Sequence, residues 1–183
     1  LTAHPNAFLP KQFEGMPAGS PISLCGLPER VEARMSAKAV SISEHVLFLG
    51  EIPRVYPFEE DRAVGETLAA CGCCWESDAM RDDSSLALSV PGGVFVVCGC
   101  AHSGVCNTVA AAKQQTEESR VAGLLGGFHL FETGSALDET IRTLKELGAQ
   151  LVYPGHCTSL AVKAAFINAF DAREVGVGLT LDW

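Results

Sequence analysis

Three apolar runs of strand type each end in a glycine-containing turn that carries a histidine, and this repetition limits the architecture most. Val94-Phe95-Val96-Val97-Cys98 leads into Gly99-Cys100-Ala101-His102-Ser103-Gly104. Val121-Ala122-Gly123-Leu124-Leu125 leads into Gly126-Gly127-Phe128-His129-Leu130. Leu151-Val152-Tyr153 leads into Pro154-Gly155-His156-Cys157-Thr158. Short β-branched runs bounded by turn residues read as buried strands. Side chains at neighbouring strand ends can converge on one point while the sheet holds them rigid. Imidazole is a common ligand for zinc and other first-row metals. One such histidine is ordinarily a hydrogen-bonded loop residue. Three in the same setting make His102, His129 and His156 candidate ligands of one metal centre.

The remaining pattern supplies helices to cover that sheet. Leu86–Val90 and Val94–Cys98 flank Pro91-Gly92-Gly93, a hairpin signal. Asn107 is a candidate N-cap for a helix running through Lys113. Asp138–Leu147 forms an amphipathic helix with Leu137, Ile141 and Leu144 on one face and Gly148 as its stop. Ser159–Phe170 reads as a helix with Leu160, Ala164 and Ile167 inward, and Glu174–Trp183 as a final strand. Lys38–Leu49 is β-rich, Leu1–Glu32 reads mostly as loop, and Gly50–Asp83 reads as a long loop or lid. Hairpins followed by alternating strands and helices indicate an α/β fold with helices packed on sheet.

The chain has 183 residues and is 48% hydrophobic, enough for one domain with a sizeable core. Its net charge of −9, with no basic run, argues against a nucleic-acid partner. No stretch reads as a membrane span or signal peptide, so a cytoplasmic protein is expected. The eight cysteines then read as reduced thiols. Leu1 in place of Met marks the start as processed, cropped or internal.

The blocks around His102, His129 and His156 resemble motifs of the metallo-β-lactamase superfamily. So do Gly50-Glu51-Ile52-Pro53-Arg54 and, more weakly, His4-Pro5-Asn6-Ala7-Phe8. They are similar to one branch in particular, that of the dihydropterin–ribofuranosylaminobenzene phosphate synthase. The matched blocks keep their order from His4 to Gly178. The resemblance implies a four-layer αββα sandwich with one or two metal ions at one edge of the sheets, zinc by expectation, with iron or manganese as alternatives. It implies that His102 binds the first metal and His156 the second. For His129 it leaves two roles open, a second-metal ligand or a substrate-facing group.

The superfamily's His-x-His-x-Asp-His cluster is not among these residues, because no two histidines stand two apart. The expectation is a single domain over 1–183 that represents the C-terminal portion of the fold. Its N-terminal part would be cropped, cleaved, encoded separately or lost. The implied activity is metal-dependent hydrolysis of a small molecule, with a phosphoester as candidate substrate and catalytic residues unassigned. The expected partners are a homo-oligomeric copy or a separate N-terminal fragment.

Two other functions compete. A non-catalytic remnant would associate through exposed sheet edges. A thiol-rich module would bind metal or cycle redox state through Cys71, Cys73 and Cys74, whose plainer reading is reduced loop cysteines. Cys100 and Cys157 are expected to support the histidine turns from behind. Glu51 and Arg54 are expected to form an ion pair, Asp82-Asp83 a solvated turn, and His4 and His45 to be surface or supporting residues.

Overall fold

The computed structural model describes residues 1–59 and 63–183. In chain order the strands and helices begin with β1 (Thr2–Ala3), β2 (Lys11–Phe13), β3 (Met16–Pro17), β4 (Arg34–Met35), β5 (Val40–Ser43) and β6 (Val46–Phe48). There follow β7 (Glu66–Leu68), β8 (Trp75–Ser77), β9 (Ser85–Val90), β10 (Gly93–Cys98) and α1 (Val105–Thr116). The last are β11 (Val121–Gly126), α2 (Ser135–Glu146), β12 (Ala149–Pro154), α3 (Leu160–Ala169) and β13 (Asp171–Ala172).

A seven-stranded mixed sheet in the order β13-β12-β11-β10-β9-β6-β5 forms the body of the α/β chain. The expected hairpin at Pro91-Gly92-Gly93 joins β9 to β10 in antiparallel register, Val96 opposite Ala87. From β10 onward every pairing is parallel and each strand lies beside the next one in the chain. Parallel crossovers are almost always right-handed, so successive crossovers in one direction carry α1, α2 and α3 to the same face. There α1 packs on α2 and α2 on α3. The core lies between sheet and helices, built on Val94, Val96, Leu124, Val152, Val109, Leu144 and Phe166. Strands buried on both faces need continuous apolar sequence. The other face of β10 meets this need through Phe95, whose ring lies 5.0 Å from Trp183.

Several boundaries differ from those read in the sequence. Residues 174–183 form no strand; they run irregularly and bring Trp183 onto the sheet. Leu1–Glu32 is mostly irregular, as read, and within it β2 pairs with β3 and with the distant β7. Gly50–Asp83 likewise contains the β7–β8 pair, while residues 60–62 lie outside the described ones. Helix α1 starts at Val105 after Gly104, so Asn107 sits inside its first turn and does not cap it. Helix α2 starts at Ser135, ahead of the expected Asp138, and buries Leu137 and Leu144 as read. Helix α3 turns Val162 and Phe166 inward and leaves Leu160 83% and Ile167 51% exposed. Its sequence is apolar nearly all round, so periodicity alone could not choose the face. Among the described residues no helix is long and apolar enough to cross a membrane.

Candidate metal centre

Ligands in open α/β sheets collect beyond the carboxyl ends of parallel strands. The turns of His102, His129 and His156 follow β10, β11 and β12 in that position. Backbone hydrogen bonds lace the turns together. Gly127 N–H donates to Gly99 O at 2.9 Å, and Gly155 N–H to Gly126 O at 2.8 Å. Leu130 N–H donates to Cys157 O at 3.2 Å, and Ser159 N–H to Leu130 O at 3.0 Å. Each turn contains one non-glycine residue in the left-handed region: Ala101 (φ 44°), His129 (φ 49°) and Cys157 (φ 47°). Such backbone costs about 1–3 kcal/mol per residue and persists where its surroundings over-determine it.

Gly127 shows how tightly the turns meet. A Cβ there would lie 2.6 Å from Cys157 Sγ, Gly99 O and His156 O. Two of those atoms are backbone and cannot swing away. Gly127→Ala is therefore expected to destabilise the fold by about 1–3 kcal/mol, measured by urea denaturation. A loss below about 0.5 kcal/mol would mean that the turns are looser than this packing implies.

The donor atoms fall into two groups that share Cys100. Cys100, His102 and His129 each offer a ligand atom within 4.8 Å of the others, and so do Cys100, His156 and Cys157. Cys100 Sγ lies 3.6 Å from His129 Nδ1 and 2.8 Å from Cys157 Sγ. The His102 and His129 rings are 4.2 Å apart, and Phe131 meets His129 edge-on at 5.0 Å. His102 and His129 are half-buried, whereas His156 is exposed. The structure thus brings His102 and His129 directly together and joins His156 to them through Cys100. The two cysteines do more than support the turns from behind, because their sulfurs lie among the donor atoms.

The donor set fits a metal ion. His102 Nδ1 is buried and, among the described residues, has no hydrogen-bond partner. A buried nitrogen left so costs free energy unless something occupies it. Burial lowers the His102 pKa, against the opposing charges of Asp83 and Asp82, and so favours neutral imidazole. That is the ligand form. Nitrogen and sulfur ligands of a tetrahedral zinc ion stand about 3.5 Å apart, close to the separation of Cys100 Sγ from His129 Nδ1. Burial and the adjacent Cys157 thiol push Cys100 up to about 12, so its thiol stays protonated until a cation displaces the proton. A cleft of about 20 Å³ beside His102 and His129 has room for one water-sized particle.

Other residues hold the His102 turn in place. Asp83 accepts the Ser103 N–H at 2.8 Å, and Asn107 Nδ2 donates to Ser103 O at 2.8 Å. Asp82 bonds Lys11, which also pairs with Asp78 at 2.7 Å. The two acids are therefore a clamp between the hairpin entrance and the site, not the solvated turn expected. Glu51 pairs with Arg81 at 3.2 Å and approaches His4 Nε2 at 3.7 Å, while Arg54 donates to Ala79 O. His4 is buried, and His45 is exposed in the β5–β6 turn. Cys71, Cys73 and Cys74 are exposed and form a third group of donors elsewhere. The Cys74 thiol and nearby amides bring Cys71 down to about 6. One sequence signal would have tied the histidines together. His102 and His129 are 27 residues apart, as are His129 and His156, the length of one strand–helix unit here.

No family model matches the chain. The structure aligns with that of Tm1679, a metal-dependent hydrolase of the β-lactamase superfamily, at a TM-score of 0.84 and 21% identity. The alignment covers 100% of this chain and 70% of that one. The chain has the metallo-β-lactamase fold. A sequence relative lies in the branch anticipated from the motifs. It is the 7,8-dihydropterin-6-methyl-4-(β-D-ribofuranosyl)-aminobenzene-5'-phosphate synthase of Methanocaldococcus jannaschii, 31% identical over 94 residues. That match covers 51% of this chain and 32% of the synthase. The uncharacterized protein MJ0448 of the same organism is 25% identical over 186 residues, covering 96% of this chain and 66% of that protein. The chain thus spans about a third to two thirds of the curated relatives it matches.

Proposed function

We propose that this metallo-β-lactamase-fold chain carries the metal centre of a metal-dependent hydrolase, with His102, His129 and His156 as ligands and the Cys100 thiolate among them. The observation that carries the reading is the gathering of Cys100, His102 and His129 at the meeting point of three strand-end turns, with the buried His102 Nδ1 lacking a hydrogen-bond partner among the described residues. Zinc is the ion the mixed nitrogen and sulfur donors suit best, with iron or manganese as alternatives. Bound there, it would supply Lewis acidity, lowering the pKa of a coordinated water and polarising the bond under attack.

The chain's own residues position the reactants. His102 and His129 pack against each other in the wall of the cleft, and Cys100 links them to His156 and Cys157. Phe131 packs on His129 and also lines an open cleft of about 530 Å³ formed by residues Leu130–Leu137. That volume suits a small-molecule ester. A phosphate-bearing substrate is favoured, because the similar synthase is named for a phosphorylated compound. The His-x-His-x-Asp-His cluster is not among these residues, so metal binding is the first readout. Hydrolysis is expected to rise when a polypeptide carrying that cluster is supplied.

The test is cobalt(II) titration of the reduced chain, followed by visible absorption and plasma mass spectrometry. The expected result is tightly held cobalt with ligand-field bands of a site containing both imidazole and thiolate. A spectrum of sulfur ligation alone, or no retained cobalt, would overturn the reading.

A further inference from the structure

The β7–β8 hairpin lies in a four-stranded sheet of order β3-β2-β7-β8, separate from the sheet that bears the histidines. Leu68 pairs with Trp75 at its end. The tip beyond that pair is closed by Ala69 N–H to Cys74 O at 2.9 Å and Gly72 N–H to Ala69 O at 2.8 Å. Gly72 takes φ 69°, a turn conformation glycine adopts without strain. The fold of the tip gathers three thiols. Cys71 Sγ lies 2.9 Å from Cys74 Sγ and 3.2 Å from Cys73 Sγ, and all three sulfurs fall within 4.8 Å of one another. All three cysteines are exposed and share no residue with the histidine donor groups.

We propose that this hairpin tip is a second metal site, a three-thiolate cradle for a soft monovalent cation, with copper(I) as its ion. Thiolates select soft ions, copper(I) and zinc foremost. Zinc in a closed site takes four ligands, and among the described residues the donor group here holds three, Cys71, Cys73 and Cys74. Copper(I) is satisfied by two or three sulfurs, so the cradle is complete for it. Three thiolates around a monovalent ion carry net negative charge, which water at this exposed tip solvates. A metal–sulfur distance of about 2.3 Å sets sulfurs about 4 Å apart in a trigonal site. The thiols must therefore part by about 1 Å, which an exposed turn permits without disturbing the β7–β8 pairing.

The experiment is anaerobic copper(I) titration of the reduced chain against a chromophoric copper(I) chelator, bathocuproine disulfonate. Three proteins are compared, each carrying Cys100→Ser/Cys157→Ser so that this other pair of neighbouring thiols, 2.8 Å apart, takes no copper: the otherwise wild-type chain, Cys71→Ser/Cys73→Ser/Cys74→Ser, and His102→Ala/His129→Ala. The otherwise wild-type chain and the histidine variant are expected to withdraw one equivalent of copper from the chelator with equal affinity. The serine variant, its fold checked by circular dichroism, is expected to bind at least 100-fold more weakly. X-ray absorption on the histidine variant is expected to show three sulfur neighbours, falling to two in its Cys73→Ser derivative. Undiminished copper binding by the serine variant would overturn the site. Copper lost from the histidine variant would also overturn it. Zinc held by the same cysteines as tightly as copper would overturn the choice of ion. Because the histidine variant keeps the hairpin, failure of the hydrolase reading and failure of this one give different results.

Discussion

His102→Ala/His129→Ala is expected to weaken metal binding at the strand-end site by at least 100-fold while leaving the metal-free fold intact. The two imidazoles are the nitrogen donors of one group, and their rings lie 4.2 Å apart. Removing them leaves Cys100 with the exposed His156 and with Cys157. Loss of residues that merely orient metal ligands already costs about 10–100-fold in affinity, so loss of two ligands should exceed that. The metal-free protein should respond differently. His102 Nδ1 is buried with no hydrogen-bond partner among the described residues, a burden of about 1–3 kcal/mol in the unliganded fold. Removing the ring relieves that burden and offsets part of the packing lost. Urea denaturation with chelator present should therefore show a change within about 1 kcal/mol of wild type. With zinc present, the wild type alone should gain stability, by mass action on the native state. Equal zinc stabilisation of both proteins would place the metal elsewhere.

Glu59→Ala is expected to destabilise the protein by about 3 kcal/mol. Glu59 is 8% exposed, and its two carboxylate oxygens accept the N–H groups of Cys106 and Asn107, each at 2.8 Å. These amides open α1, where the preceding Gly104 offers no side-chain cap. A helix start leaves its first N–H groups without internal partners, and each buried amide left unpaired costs about 1–3 kcal/mol. The carboxylate also faces the positive end of the helix dipole. The same contact explains Gly104, where a Cβ would meet the carboxylate at 2.1 Å. Glu59→Gln keeps one acceptor oxygen and should lose roughly half as much. Equilibrium urea denaturation of both variants checks the ordering. Equal losses, or a loss below about 1 kcal/mol for alanine, would show that α1 is held from elsewhere.

That capping carboxylate marks the limit of what sequence could reveal. Glu59 reaches α1 across 47 residues, so no local capping pattern announces it. Asp82 and Asp83 were equally opaque, since their partners Lys11 and Ser103 lie far away or in another turn. By contrast, the β9–β10 hairpin follows from Pro91-Gly92-Gly93, and the strands bearing the three turns follow from their apolar runs. Those signals are local, as are the glycine turns that display His102, His129 and His156. The short strands β2 and β7 are brought together from distant parts of the chain, with Lys11 opposite Thr67, and are flanked by β3 and β8. Strands of three residues carry too little pattern to stand out alone. The face of α3 was misread because Leu160 and Ile167 are as apolar as Val162 and Phe166. Tertiary contact decided it, through the edge-on packing of Phe166 on Phe128.

The neighbour-to-neighbour order of β10, β11, β12 and β13 also bears on how the chain is made. Each strand pairs with the one synthesised just before it, one strand–helix unit away, so this half of the sheet can be added to in chain order during translation. The three histidine turns would leave the ribosome one strand–helix unit at a time, each docking on the turn already in place. On the antiparallel flank β5 pairs with the adjacent β6, but β9 joins β6 across the intervening β7 and β8. A longer closure is the β2–β7 pairing, which spans more than fifty residues. That closure is expected to be the slow step in refolding, separate in time from the formation of the histidine edge.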